Sequence, residues 1–295
     1  MTNITTRGPE SVDITLPDRS TSTVLLFAPG EDSGAKPLVV IWPGFGMGAR
    51  YFKPIARWLR DQGFPTAIGE LRGQGTSSAV ASRKRSWSYH TMVVEDYPLT
   101  IAAAKDALGL PPRHPVVLLT HSMGGQIATL FLSTAAAREH NVIGMMGVGT
   151  GSPYYKAFKG RARLRVGVGA PFMAAVSRVL GFWPGGRIDL AGYGRQSGRH
   201  VREWAEFSRS NSLSGMAGDD YSTATTEVTV PVLLTRFTDD EDCTLASAEA
   251  LAQHLPAAHP VVEELEGGLG HNKWARNPEI AGRRFVRFWE EKLRG

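Results

Sequence analysis

A serine with two glycines shortly after it is the first candidate for chemistry, in the stretch LLTHSMGGQIA over residues 118–128. The apolar run before Ser122 is typical of a buried strand, and the run after Gly125 is typical of a helix. In a nucleophile elbow the serine lies on a sharp turn between such elements, so its hydroxyl is exposed at the carboxyl edge of the sheet. Small residues two positions to either side keep the turn uncrowded. Gly124 meets this requirement, whereas Thr120 replaces the usual glycine.

A histidine late in the chain is the candidate base for this serine. The stretch EGGLGHNKW over residues 266–274 places His271 behind a glycine-rich turn, after the last predicted strand. His121 is adjacent to Ser122 in the sequence, but in an elbow its side chain should point away from the serine hydroxyl. We therefore expect His271 to accept the proton of Ser122 as a general base.

An aspartate after the next-to-last predicted strand would complete a catalytic triad. The stretch TDDEDCT over residues 238–244 offers four carboxylates. The spacing from the helix that follows favours Asp240 as the acid, with Asp239 and Asp242 as alternatives. One of these carboxylates has to be buried against the imidazole to orient it.

A glycine-rich turn after another buried strand supplies candidate donors for an oxyanion. The stretch WPGFGMG over residues 42–48 follows the predicted strand 37–42. Acyl transfer requires hydrogen-bond donors aimed at the oxygen on which negative charge develops. We expect the backbone N–H groups of Phe45 and Met123 to form this oxyanion hole.

Short apolar runs alternate with helical patterns along the chain, which is typical of an α/β protein with a mostly parallel sheet. The first two strands are expected to form a hairpin. The predicted strands lie at 11–16, 22–28, 37–42, 64–70, 115–120, 142–149, 231–237 and 261–267. The predicted helices lie at 49–63, 91–109, 123–139, 246–255 and 276–293.

One long segment, residues 152–213, interrupts this alternation. It has no clear strand pattern, and it is too long for a simple loop in a compact domain. We predict that it is an inserted, mainly helical cap over a core formed by residues 1–151 and 214–295. Apolar residues of the cap should contact the substrate. The predicted substrate contacts are Phe172, Val176 and Trp183.

Composition limits the classes of protein that fit. The chain has 295 residues, 42% of them hydrophobic, and a net charge of +5, without the aromatic and basic pattern of a nucleic-acid module. Residues 1–18 lack a signal-peptide pattern, and Arg178 interrupts the longest apolar stretch, so we expect no stable membrane insertion and a cytoplasmic location. The single cysteine, Cys243, cannot form an internal disulfide or a thiolate metal cluster, and we expect no metal or cofactor.

The order of serine, aspartate and histidine, with the last two after the final two strands, resembles the α/β-hydrolase superfamily over nearly the whole chain. The stretch GELRGQGTSS over residues 69–78 is similar to a loop after the fourth strand in many members, although Glu70 replaces the usual aspartate. Two cap stretches, GFWPGGRIDLAGYG and VREWAEFSRSNSL, are similar to those of a group of capped bacterial α/β-hydrolases.

The resemblance, with the candidate residues, implies a serine hydrolase that cleaves a small carboxylic ester or thioester through an acyl-enzyme. Ser122 would be the nucleophile, His271 the base and Asp240 the group that orients the imidazole. An acyltransferase would use the same three residues with an alcohol or amine acceptor in place of water. A non-catalytic binding protein with this fold is the third alternative.

Overall fold

A sheet of eight strands forms the centre of the fold, and a pair of two-residue strands lies apart from it. The computed structural model describes residues 10–30, 36–185, 194–216 and 220–294. The N-terminal segment without a signal-peptide pattern is thus described only from residue 10 onward. The strands are β1 (Glu10–Thr15), β2 (Thr21–Phe27), β3 (Leu38–Trp42), β4 (Thr66–Ile68), β5 (Val116–His121), β6 (Val142–Val148), β7 (Phe182–Trp183), β8 (Gln196–Ser197), β9 (Val232–Phe237) and β10 (Val261–Leu265).

The strands of the central sheet lie in the order β1-β2-β4-β3-β5-β6-β9-β10. β1 and β2 form an antiparallel hairpin, β2 is antiparallel to β4, and the other neighbours are parallel. The predicted hairpin and mostly parallel sheet are therefore confirmed. Parallel strands covered by helices on both faces need apolar residues throughout, and β3 and β5 are buried along their whole length.

Eleven α-helices lie in the described part of the chain, and none of them is long and apolar enough to cross a bilayer. The predicted helical segments are all found. The helices are α1 (Lys53–Asp61), α2 (Tyr89–Thr91), α3 (Tyr97–Ala107), α4 (Met123–Leu132), α5 (Ala135–Glu139), α6 (Gly160–Leu164), α7 (Ala170–Leu180), α8 (Gly198–Ser210), α9 (Tyr221–Ala224), α10 (Leu245–Ala252) and α11 (Glu279–Phe288).

Two apolar layers pack against the two faces of the sheet, and alternate residues of a strand contribute to different layers. In β3, Leu38, Val40 and Trp42 belong to one layer, while Val39 and Ile41 belong to the other. Full burial of such a side chain contributes about 1.5–3 kcal/mol to folding. These packed layers hold the strands in place. The candidate site lies at the carboxyl ends of five of them, β3, β5, β6, β9 and β10.

The predicted cap segment, residues 152–213, lies between β6 and β9 in the chain. α6, a π-helical turn over Arg165–Gly169, and α7 follow one another without a break, and α8 packs against α7. The sequence showed no strand here, but β7 pairs antiparallel with β8. Each has only two residues, which is too short to produce a periodic pattern. Residues 186–193 of the predicted cap lie outside the described residues.

Candidate active site

Ser122 lies on the turn between β5 and α4, where the sequence predicts the nucleophile elbow. Its backbone has φ 51° and ψ −122°, a conformation that a residue with a side chain rarely adopts and that stores strain at functional sites. The turn brings α4 close to the end of β3. A Cβ atom on Gly124 would lie 2.5 Å from the carbonyl oxygen of Pro43, so only glycine fits at this position. The requirement for a small residue after the serine is therefore steric.

His271 lies in the loop after β10 and faces Ser122. Its Nε2 atom is 3.1 Å from Oγ of Ser122, within hydrogen-bond distance. Three glycines of this loop, Gly267, Gly268 and Gly270, have positive φ, which lets the chain turn back over the end of the sheet. The candidate base thus reaches the candidate nucleophile from a different part of the chain.

Asp240 lies in the loop after β9 and holds the other nitrogen of the imidazole. Its Oδ2 atom is 2.8 Å from Nδ1 of His271. Its Oδ1 atom accepts hydrogen bonds from the backbone N–H groups of Asp242 and Cys243, at 2.8 and 2.9 Å. The Asp240 side chain is buried, so the carboxylate is fixed by these bonds and shielded from water. The structure brings Ser122, His271 and Asp240 together in one hydrogen-bonded chain.

The two alternative aspartates have other partners. Asp239 accepts a hydrogen bond from the backbone N–H of Gly270 at 3.0 Å, next to His271 in the sequence. Asp242 forms an exposed ion pair with Arg165, in the π-helical turn of the cap segment. In the described structure, only Asp240 of these three aspartates is hydrogen-bonded to the imidazole, so the three carboxylates of this loop have three different sets of partners.

Arg236, in β9, shapes the loop that carries the acid. Its guanidinium group donates to the backbone oxygens of Cys243 (2.6 Å), Asp240 (2.8 Å) and Thr238 (3.1 Å), and it pairs with Glu264. The sequence analysis did not single out this residue. The single charged residue in the buried strand PVLLTRF is the signal that could have identified it.

His121 lies directly behind the candidate base, His271. Its Nδ1 donates to the carbonyl oxygen of Val148 at 3.0 Å, and its Nε2 lies 3.0 Å from the side-chain amide of Asn272. Burial, followed by the charge of His271, lowers the pKa of His121 to about 3. The ring is therefore neutral at neutral pH, and its centroid is 4.7 Å from that of His271. These contacts position the residue after His271.

The predicted oxyanion turn follows β3, and Phe45 lines the same cavity as Ser122 and Met123. Buried Glu70 anchors the end of this turn by accepting hydrogen bonds from the backbone N–H groups of Ala49 (2.9 Å) and Thr76 (3.0 Å). Burial raises the pKa of this carboxyl group. The glutamate that departs from the α/β-hydrolase pattern thus links two loops beside the site.

His200, from α8, contacts both predicted oxyanion residues. Its Nε2 lies 2.9 Å from the sulfur of Met123, and its ring centroid is 5.0 Å from that of Phe45. Burial lowers the pKa of His200 to about 3, so this imidazole is also neutral at neutral pH. The sequence placed His200 in the cap without assigning it a role, because no local pattern indicates which part of the core it contacts.

A cavity of about 670 Å³ opens above Ser122 between the core and the cap segment. Its apolar lining includes the predicted contacts Phe172 and Trp183, together with Met173 and Trp204. Val176, the third predicted contact, packs instead against the small cluster formed by Met173, Trp183 and Val201. The cavity is large enough for a small organic substrate.

Comparisons with known proteins agree with this fold. Residues 33–181, half of the chain, match the sequence profile of a hydrolase family described as serine aminopeptidase, S33. No curated protein sequence gave a significant match.

Similar solved structures include the esterase EaEST from Exiguobacterium antarcticum, at 19% identity and TM-score 0.60, covering 96% of this chain and 100% of that one. Est1E from Butyrivibrio proteoclasticus with bound ferulic acid is 13% identical with TM-score 0.63, and the match covers 94% and 98% of the two chains. The thioesterase domain from the curacin biosynthetic pathway is 17% identical with TM-score 0.59, with coverage of 95% and 100%.

The resemblance seen in the sequence is thus confirmed by the profile match, by the sheet order and by the folds of these structures. The chain belongs to the serine aminopeptidase S33 family of α/β-hydrolases.

Proposed function

We propose that this hydrolase cleaves a carboxylic ester or thioester through an acyl-enzyme intermediate formed on Ser122. The observation that carries the proposal is the chain of hydrogen bonds from Asp240 through His271 to Ser122, with distances of 2.8 and 3.1 Å. A hydroxyl, an imidazole and a buried carboxylate in this order form an activated nucleophile.

Each group has a defined step in this mechanism. Nε2 of His271 removes the proton of Ser122 as Oγ attacks the acyl carbon, and Asp240 keeps the other proton on Nδ1 and stabilises the imidazolium. The backbone N–H groups of Phe45 and Met123 donate to the oxyanion. His271 then protonates the leaving alcohol or thiol, and a water activated in the same way releases the acid.

The lining of the cavity favours a neutral acyl group over the free amino terminus of a peptide. An aminopeptidase has to bind the α-ammonium group of its substrate, and a carboxylate is the partner that stabilises such a charge. Among the described residues that line the cavity, Asp242 is the only carboxylate, and it already pairs with Arg165. The similar structures described as esterases and a thioesterase also support an ester or thioester substrate.

Labelling with a fluorophosphonate probe tests the nucleophile. The protein should be labelled once, and Ser122→Ala should remove the label and lower ester hydrolysis by at least about a thousandfold. Ser133→Ala, at the other end of α4, is the matched control and should be labelled normally. Labelling that survives in Ser122→Ala would rule out this nucleophile.

A substrate panel then tests the bond that is cleaved. p-Nitrophenyl esters of several acyl lengths should be hydrolysed much faster than amino-acid p-nitroanilides, which are aminopeptidase substrates. Free acid is the expected product. Faster anilide cleavage would contradict the proposed substrate class, and acylation of an added alcohol or amine in preference to water would indicate an acyltransferase.

A further inference from the structure

The helix that runs from Gly160 to Leu180 exposes a row of large apolar side chains. The exposed fractions are 66% for Leu164, 59% for Val168, 52% for Phe172 and 70% for Val179. These residues are separated by four, four and seven positions, and side chains about one or two helical turns apart lie along the same side of a helix. We call these four residues the cap stripe. Single exposed apolar side chains are ordinary, whereas an aligned set of this kind marks an interaction surface.

A cluster of positive charge leads into the cap stripe. Five exposed lysine and arginine side chains lie close together in the sequence, just before the helix and in its first half. The sequence has no aspartate or glutamate between Glu139 and Asp189, so the segment carries no opposite charge of its own. Arg165 pairs with Asp242 from another loop. The members of this basic cluster are Lys156, Lys159, Arg161, Arg163 and Arg165.

The cap stripe is continuous with the entrance of the cavity. Phe172 belongs to the stripe, is half exposed, and also lines the cavity above Ser122. Its ring contacts that of Trp183 edge-on, with the centroids 6.2 Å apart. Arg165 of the basic cluster lines the same cavity. A surface that binds the stripe would therefore lie against the opening through which a substrate enters.

We infer that the cap stripe and the basic cluster form a docking surface for an anionic phospholipid bilayer. A helix with apolar residues on one side and lysines and arginines beside them lies in the plane of a membrane interface, with its apolar side in the acyl region. The basic cluster would be attracted to the negative lipid headgroups. A second copy of this chain fits less well, because it would bring the same positive segment to the contact.

This docking does not depend on the chemistry at Ser122, so the Ser122→Ala variant separates the two proposals. The variant should sediment with vesicles of phosphatidylcholine and phosphatidylglycerol as the unaltered protein does, and bind vesicles of phosphatidylcholine alone far more weakly. Raising the salt concentration should weaken the binding. Equal binding to both kinds of vesicle, or to neither, would overturn the inference, even if the esterase assay succeeds.

Paired variants test which residues carry the docking. The triple variant K159E/R161E/R163E should lower partitioning onto the mixed vesicles by at least about a hundredfold, since each lost basic residue removes about a fivefold factor and each glutamate adds repulsion. The double variant V168D/V179D should lower it by at least about tenfold, because it places charge in the apolar contact.

The matched controls carry the same changes at exposed positions outside the cap segment. R57E/R113E/R283E controls for net charge, and V94D/V261D controls for lost apolar surface. Both should bind much as the unaltered protein does, and thermal unfolding should show that every variant is folded. Equal losses in variants and controls would overturn the inference, as would a concentration-dependent dimer that V168D/V179D dissociates while vesicle binding is unchanged.

Discussion

The carboxylate of Asp239 accepts a hydrogen bond from the backbone N–H of Gly270 at 3.0 Å, while the next residue, Asp240, contacts the imidazole of His271. Two adjacent aspartates therefore bind the same loop, one through a backbone group and the other through a side chain. Asp239 is hydrogen-bonded to the backbone just before His271, and Asp240 is hydrogen-bonded to the His271 ring. The loop after β10 is fixed to the loop after β9 at two successive points.

This division predicts unequal effects of three isosteric substitutions. Asp240→Asn should lower kcat by roughly 10³–10⁴-fold, because the amide cannot stabilise the imidazolium and favours the wrong tautomer. Asp239→Asn and Asp242→Asn should lower kcat only a few-fold, since their partners are the Gly270 backbone and Arg165. Steady-state ester kinetics provide the measurement. A larger loss in Asp242→Asn than in Asp240→Asn would refute the assignment.

The contacts of His200 predict that it positions the two residues of the proposed oxyanion hole. His200→Ala removes a buried ring that contacts Met123 and Phe45, so we expect kcat to fall by about ten- to a hundredfold with little change in KM. His200→Phe keeps a ring in the same space and should recover most of this loss. A purely structural role would give both variants the same kcat at temperatures where both are folded.

The buried histidines predict a loss of stability in acid. Burial lowers the pKa of His121 and of His200 to about 3, whereas an unfolded histidine has a pKa of about 6.5. Above about pH 6.5 these histidines are unprotonated in both the folded and the unfolded protein. As the pH falls from 6.5 towards 3, only the unfolded state binds a proton, so the free energy of unfolding decreases by up to about 1.4 kcal/mol per pH unit for each histidine.

Urea unfolding at several pH values measures this effect. His200→Phe removes one histidine with a strongly lowered pKa, so its free energy of unfolding should fall less steeply between pH 6 and pH 4 than that of the unaltered protein. Parallel curves would show that His200 does not carry the acid sensitivity.

The cavity lining predicts where substrate preference is determined. Phe172→Ala should change the ratio of activities towards short and long acyl esters, because Phe172 lines the cavity. Val176→Ala is the matched control in the same helix, since Val176 packs against Met173 and Trp183. Competition between two esters gives the ratio of kcat/KM values directly. An unchanged ratio in Phe172→Ala would place the acyl group elsewhere.

The placement of Ser122 and His271 at the same end of the sheet was predictable from the sequence because local rules constrain both positions. A mostly apolar strand followed by Ser122, Met123 and two glycines has few structural interpretations. His271 comes after the last strand, in a loop with three glycines. The choice of Asp240 within TDDED depends on the tertiary turn. In this turn the N–H of Asp240 donates to the carbonyl oxygen of Phe237. The Asp240 carboxylate accepts hydrogen bonds from the backbone N–H groups of Asp242 and Cys243.

The residues around Ser122, His271 and Asp240 were not predictable in the same way. His200 contacts Met123 across 77 residues of sequence, and nothing in the periodicity of α8 indicates which residue of the core it reaches. How the cap segment packs on the core is determined by the shapes of the two contacting surfaces, which the local sequence does not specify. The same holds for Val176, whose helical spacing matches that of Phe172 but whose side chain packs within the cap segment.

The contact between His200 and Met123 also has a consequence for recombination between relatives. A cap segment transplanted from another α/β-hydrolase would bring its own residue to the place of His200, beside a Phe45 and a Met123 that it does not match. We therefore expect core–cap chimeras to lose about as much kcat as His200→Ala does, unless these three residues are exchanged together. The same dependence should make the three positions change in concert as the family diverges.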